Sequence, residues 1–474
     1  MLTINAALYR FILLKSNSKI TTMTNESTLM QAADRAAANY IAHVNTRRVF
    51  PDAGALSLLD GFDEALPERG VEAGAVIGQL DRLGSPNTVA NNGPNYFGFV
   101  IGAALPVAAA ADRLALAWDQ CASSWDGSPV ADKLERTAAR WLLEILDLPR
   151  DSAIGFGTSA TACALACLTA ARRELLQRKG WDFDAKGLDG APRVRIVMSQ
   201  AIHITLKRTA RVLGFGVDTI VYAPCDAFNR VDPAQLPPLD GMTILCLQAG
   251  EVNTGEFDPF AAIVPQAKAA GAWVHVDGAF GLWARAGSDR ARTDGVDLAD
   301  SWTTDGHKWL NTPYDGAMAI CRDGRALADA MQSDAPYVPA VWDAQKNLTL
   351  EFSRRPRGIA IWAALKGLGR DGVRQMVDRH CGLARRIADG AKAAGFEVLN
   401  RVVLNQVLAR AASDAQTRAV MEYVQASGKA WFGPAVWQGR PAFRISVSSW
   451  RTEETHADAL VTLLEEALRA ETIL

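Results

Sequence analysis

The stretch AWVHVDG, residues 272–278, is an apolar run that stops at a carboxylate followed by a glycine. It is too short for an ordinary helix and suits a strand with both faces covered. Four more runs have the same character: VRIVMS (194–199), TIVYAP (219–224), MTILCLQ (242–248) and AMAICR (317–322). Helical stretches separate them. Strand alternating with helix predicts an α/β core, a mixed, mostly parallel sheet covered by helices, since periodicity leaves strand direction open.

The clearest helix is TACALACLTAARRELLQRKG (161–180), rich in Ala and Leu, basic in its last turns and stopped by Gly180. WDFDAKGLDGAP (181–192) reads as an exposed loop. From about residue 365 the pattern changes to a helix, strand-like runs in EVLNRVVLNQVLARA and PAFRISVSSW, and a last helix over 453–470. The expected organisation is an extension over 1–25, a helical N-terminal segment over 26–110, a large α/β domain over 111–360 and a small α+β domain over 361–474.

With 474 residues, 49% of them hydrophobic, the chain has material for more than one core. Fifty basic and 52 acidic side chains give a net charge of −2, so no broad field draws nucleic acid or an anionic membrane. A small-molecule partner follows. Seven cysteines without CxxC spacing read as reduced packing residues of a cytoplasmic protein, and Cys163 with Cys167 as a helix stripe rather than a metal pair. No metal site is expected. The apolar patch near the N-terminus is broken by Arg10 and too short to span a bilayer; a start at Met23 is an alternative reading.

Strand ends carry the chemistry in α/β folds. Asp277 ends its apolar run just before a glycine, where a carboxylate is partly desolvated and needs a partner. GFGTSATACALA puts Ser159, Ala160 and Thr161 at the mouth of the long helix, an anion site by its free backbone N–H groups. His203 follows another strand. Lys308 lies in DSWTTDGHKWLN (300–311), a setting that is neither a solvated face nor a core stripe. Singly, these read as a turn-capping Asp, a Ser N-cap and a packed His. Together they supply the phosphate cradle, imidazole plane, ring-nitrogen carboxylate and lysine amine that pyridoxal 5'-phosphate requires.

The order TSAT, His203, HVDGA, HKW resembles the group II pyridoxal-phosphate-dependent amino-acid decarboxylases of fold type I, which include aromatic-L-amino-acid decarboxylase and its bacterial relatives. The resemblance runs from about residue 80 to the end. It implies covalent attachment of the cofactor at Lys308, Asp277 on the pyridinium nitrogen, His203 stacked on the ring, and a phosphate site at Ser159, Ala160 and Thr161. Ala279, Asn253, Thr303, Asp305 and His307 complete the implied cofactor contacts. Tyr337, in SDAPYVPAVW, matches a loop tyrosine of the family that protonates the substrate α-carbon; phenylalanine there would imply aldehyde formation.

SRRPRGIAIW (353–362) also matches, although Arg354, Arg355 and Arg357 suit structural ion pairs equally well. NNGPNYFGFVIG and CASSWDGSPVADKLE resemble the family's substrate wall, with Tyr96, Phe97, Phe99 and Trp125 as aromatic candidates and Arg444 as a polar one. Each aromatic suits a core role too. Two departures stand out: Val252 or Asn253 occupies a position where relatives have threonine, and Asp305 replaces a frequent asparagine, placing a carboxylate beside a phosphate. The implied assembly is a homodimer clasped by the N-terminal helices. The implied reaction is decarboxylation of an L-amino acid, aromatic favoured, to amine and CO2. Alternatives are aldehyde synthesis, transamination or another lyase reaction on the same fold, or a silent binding protein that keeps it.

Overall fold

The computed structural model describes residues 26–332 and 341–472. The expected extension over 1–25 lies outside the described residues.

Seven strands form the large sheet: β1 (Ala153–Gly157), β2 (Arg195–Ser199), β3 (Val221–Ala223), β4 (Thr243–Gln248), β5 (Trp273–Asp277), β6 (Ser301–Asp305) and β7 (Ala317–Cys321), in the order β1-β7-β6-β5-β4-β2-β3. From β3 to β6 every pairing is parallel, while β7 runs antiparallel to both neighbours. All five apolar runs are strands, shortened by a residue or two at their ends.

Their unbroken apolarity has a direct cause, because alternate side chains enter different cores. Leu245, Leu247, Val274, Val276 and Ile320 join one cluster, with α3 (Pro129–Ile145), α6 (Phe260–Ala269) and the start of α8 (Gly358–Ala393). Ile244, Cys246, Ile196, Met198 and Trp273 join the other, beneath α4 (Ala160–Arg178), α5 (Ile204–Val212) and α7 (Gly324–Met331). Cys163 and Cys167 belong to that second cluster and are packing residues.

Of the two remaining strands, one lacked an apolar signal. β6 reads SWTTD, yet all five residues are buried. Most of its polar groups find partners inside: the Ser301 hydroxyl takes the Trp273 indole N–H at 2.9 Å and lies 2.9 Å from His275 Nδ1, whereas the Thr303 hydroxyl is buried without one. Satisfied hydroxyls are tolerated in a core where unpaired ones are rare.

The helix α8 spans 36 residues and breaks at Gly369, whose φ of 62° only glycine adopts cheaply. It crosses the expected boundary at 360–361 and leads into an antiparallel sheet, β8 (Glu397–Val398), β9 (Gln406–Arg410), β10 (Gly433–Trp437) and β11 (Arg440–Ser446), in the order β10-β11-β9-β8. Between β9 and β10 lies α9 (Asp414–Ser427), and α10 (Glu454–Thr472) packs on the same core. At the other end, α1 (Glu26–His43) has no buried residue. Next come α2 (Pro106–Trp118), with Leu114, Leu116 and Trp118 exposed, and an intervening stretch exposing Phe50, Leu58, Leu59 and Leu66. Among the described residues no helix is long and apolar enough to cross a membrane.

Candidate active site

The carboxyl ends of β4, β5 and β6 open onto a cleft of about 340 Å³. Parallel register puts Gln248, Asp277 and Thr303 side by side there. The start of α4, the start of α5 and the loop after β6 close round them, so residues far apart in sequence meet at one place.

Asp277 is the last residue of β5 and 6% exposed. Its Oδ1 accepts the Ala279 N–H at 3.1 Å, and among the described residues it has no ion-pair partner. Burial pushes its carboxyl above the ordinary range, opposed by the charges of His203 and Lys308. A buried carboxylate so lightly compensated calls for a cation in front of it.

His203 caps α5, its Nδ1 lying 2.7 Å from the Thr205 hydroxyl. Its backbone N–H donates to Gln248 Oε1 at 3.1 Å, and Gln248 Nε2 donates to the Ala201 carbonyl at 3.2 Å. Gln248 therefore fixes the turn that carries the imidazole. Burial lowers the pKa of that ring, with Asp277 acting the other way.

At the mouth of α4 the Ser159 hydroxyl accepts the Ala162 N–H at 3.3 Å. The Ala160 N–H donates to Asp305 Oδ1 at 2.7 Å. Asp305 is thus turned into the site, which answers the concern its sequence position raised. Its Oδ2 lies 3.2 Å from Lys308 Nζ, and Oδ1 lies 3.6 Å from His307 Nε2. The His307 ring packs on Tyr314 with centroids 4.1 Å apart, and its Nδ1 accepts the Gly316 N–H at 3.3 Å.

The lysine's own loop is pinned from the small domain. Trp309 Nε1 donates to His380 Nδ1 at 2.8 Å, so the other imidazole nitrogen carries the proton and donates to the Ser449 carbonyl at 2.9 Å. Asn311, at φ 58°, bonds the Trp309 and Ser448 carbonyls at 2.7 and 3.0 Å and accepts the Trp450 N–H at 2.9 Å. Neither residue carried a signal in the sequence, because a single buried polar side chain has none.

Phe99, Val100 and Phe280 form an apolar wall, and Arg444 faces it with Nη1 donating to the Val252 carbonyl at 2.9 Å. Burial lowers the Arg444 pKa, and its Nε is buried without a partner. Of the expected aromatics only Phe99 lines this cleft. Phe97 is packed into the small-domain core, Tyr96 is buried against Trp431 at 5.1 Å, and Trp125 is 57% exposed elsewhere on the surface. Thr303 is fully buried and off the wall. Asn253 turns away to Glu251, its N–H at 2.9 Å, leaving Val252 on the wall. Ser159, Ala160, Thr161, His203, Asp277, Ala279, Asp305, His307 and Lys308 do converge on the cleft. Tyr337 lies outside the described residues. Sequence reading missed Gln248, Thr205 and Phe280; Gln248 ends an apolar run just as Asp277 does, and that signal was available.

The donor set fits a flat ring bearing an anion, an aldehyde and a basic nitrogen. A helix start and hydroxyls, an amine and a lightly compensated carboxylate line the same cleft.

The pyridoxal-dependent decarboxylase conserved domain matches residues 56–411. Tryptophan decarboxylase 1 of Oryza sativa subsp. japonica is 26% identical over 473 residues, covering 90% of each chain. L-2,4-diaminobutyrate decarboxylase of Rhizobium meliloti (strain 1021) is also 26% identical, covering 88% of this chain and 86% of its own. The crystal structure of Oryza sativa TDC with PLP and tryptamine shares the fold at a TM-score of 0.86 and 24% identity, covering 96% of this chain and 99% of that one. The conserved domain spans most of the sequence and contains every strand of the large sheet, so the chain belongs to the pyridoxal-dependent decarboxylase family.

Proposed function

We propose that this protein removes the carboxylate of an aromatic L-amino acid as CO2 and releases the amine, working as a cytoplasmic homodimer. One observation carries the reading: Lys308, Asp277, His203 and the start of α4 meet in a cleft that also presents the apolar side chains of Phe99, Val100 and Phe280. Pyridoxal phosphate, when bound, supplies the sink for the electron pair that CO2 leaves behind.

The chain's own residues do the rest. Lys308 holds the aldehyde carbon through its amine, and the carboxylate of Asp277 keeps a proton on the ring nitrogen. That proton is the cation Asp277 lacks. His203 offers its imidazole face to the ring, steadied by Gln248. Ser159, Ala160 and Thr161 receive the phosphate at the positive end of α4. Arg444, half-buried and without a carboxylate partner among the described residues, takes the substrate's carboxylate end. Tyr337 returns a proton to the α-carbon.

Aromatic substrates are favoured because Phe99, Val100 and Phe280 offer flat apolar area. The only carboxylates lining the described cleft, Asp277 and Asp305, are committed to the cofactor end, leaving none for a basic side chain. The similarity to tryptophan decarboxylase 1 points the same way. Support for a homodimer comes from α1, which buries none of its residues, and from exposed Phe50, Leu58, Leu66, Leu114 and Leu116, more apolar side chain than a lone chain leaves in water without cause.

The test is incubation of the cofactor-loaded protein with each common L-amino acid, labelled at the carboxyl carbon. Labelled CO2 and the matching amine, highest for an aromatic substrate, are the expected products. CO2 with aldehyde in place of amine, or a keto acid retaining the label, would replace this reaction with another.

A further inference from the structure

The carboxylate of Asp305 lies where an anion-binding helix start ought to be free. Asp305 is 2% exposed and ends β6, near the middle of the sheet. Its backbone is fixed on both sides, the N–H donating to the Ala279 carbonyl at 2.9 Å and the carbonyl accepting Trp283 Nε1 at 3.2 Å. The main chain cannot withdraw without breaking the strand end, so the carboxylate leaves the site only by giving up its own side-chain contacts. Its side chain already takes what an incoming anion would want: the Ala160 N–H of α4 at 2.7 Å and the Lys308 ammonium at 3.2 Å. The other cation on the cleft wall, Arg444, bonds the Val252 carbonyl and is assigned above to the substrate's carboxylate.

We propose that Asp305 is an affinity-setting residue that loosens the grip on the cofactor's phosphate, so that this protein exchanges its cofactor readily. The proposal rests on the reading that the phosphate lies at the start of α4. Two anions then share one helix end, and no second cation of the described chain is placed between them. The helix terminus stabilises negative charge, but its effect is confined to the first turn and is partly used by the resident carboxylate. Like charges a few ångströms apart in a partly buried site repel strongly enough to cost about tenfold or more in affinity. Asparagine has the same shape and still accepts the Ala160 N–H, so Asp305→Asn removes the charge and little else.

The experiment uses the full chain stripped of cofactor, titrated by absorbance with pyridoxal 5'-phosphate and, separately, with pyridoxal, which has the aldehyde and ring but no phosphate. Wild type, Asp305→Asn and Asp305→Ser are compared, each checked for a cooperative melt. The ratio of the two dissociation constants isolates the phosphate from any effect on Lys308. In both variants the preference for the phosphorylated form is expected to rise about tenfold over wild type, with pyridoxal affinity changed by less than about twofold. An unchanged or smaller preference overturns the proposal. So does an equal gain for both compounds, which would place the effect on Lys308, and so does failure of both variants to fold, which would make the carboxylate a structural requirement. Wild type that binds pyridoxal as tightly as its phosphate would instead refute the underlying placement of the phosphate.

Discussion

Gly102 is the position where the smallest change is expected to do the most damage. A Cβ built there would lie 2.0 Å from the Lys308 carbonyl oxygen and 3.1 Å from Asn311 Cγ, whereas ordinary contacts begin at 3.4 Å. Its φ lies outside the left-handed region, so the effect of Gly102→Ala is steric and not conformational. The lysine loop and the 98–102 segment must part by more than an ångström. Neither can yield cheaply: the loop is tied through Trp309 to His380 and through Asn311 to Trp450, and the Leu105 N–H is bonded to the Asn311 carbonyl at 2.8 Å. Overpacking of this kind costs about 1–3 kcal/mol. A 1 Å displacement of a reacting group lowers turnover by roughly 10²-fold. Carboxyl-label release measures the second effect and thermal melting the first. Gly382→Ala, in the middle of α8 with nothing within 4 Å, is the control and should be neutral or slightly stabilising. If Gly102→Ala melts and turns over like wild type, the close approach of these two segments is refuted.

The buried pair Arg354–Glu135 joins α3 to the chain just before α8, with both side chains inaccessible to solvent. Arg354→Met leaves Glu135 charged in the core and should cost about 3–5 kcal/mol in urea unfolding, much of it recovered in Arg354→Met/Glu135→Gln; a loss under 1 kcal/mol (roughly the worth of a surface pair) would contradict this. His275 and His380 are buried and neutral, with pKa values pushed down to about 3. Folded pKa values below the unfolded value of about 6.5 contribute stability that is present above pH 6.5 and lost as the pH falls from there towards 3, by up to about 1.4 kcal/mol per unit for each imidazole. The difference between wild type and His380→Gln, followed from pH 7.5 to about 5, isolates one imidazole. Buried carboxylates such as Asp258, pushed up to about 7, cancel in that difference. A pH-independent difference would show that His380 takes up a proton in the fold.

The large sheet was legible because its inner apolar strands are buried on both faces, which erases the alternation that would otherwise mark a half-exposed strand; only the edge strand β3 exposes a side chain, Tyr222. β6 was not, because Ser301 hides its polarity in bonds to Trp273 and His275, which residue-by-residue apolarity cannot register. At the site, Asp277 stood out at the end of an apolar run, His203 shortly after another, and Lys308 by a setting that is neither a solvated face nor a core stripe. Phe97 and Tyr96 were drawn to the substrate wall by the resemblance of their segment and by their aromaticity. An isolated bridge of Tyr96 to Trp431 instead leaves Phe97 in the small-domain core and Tyr96 stacked on Trp431, a contact between residues 335 positions apart. Long-range packing of that kind leaves no local trace. His380 and Asn311 were invisible for the same reason.

The claim beneath all of this is that the amine of Lys308 is where the cofactor is covalently held. Borohydride reduction of the cofactor-loaded protein, followed by proteolysis and mass spectrometry, tests it directly. The account predicts a pyridoxyl phosphate group on the peptide containing Lys308 and its absence from Lys308→Ala; a reduced adduct on another lysine, or one that persists in Lys308→Ala, would contradict it.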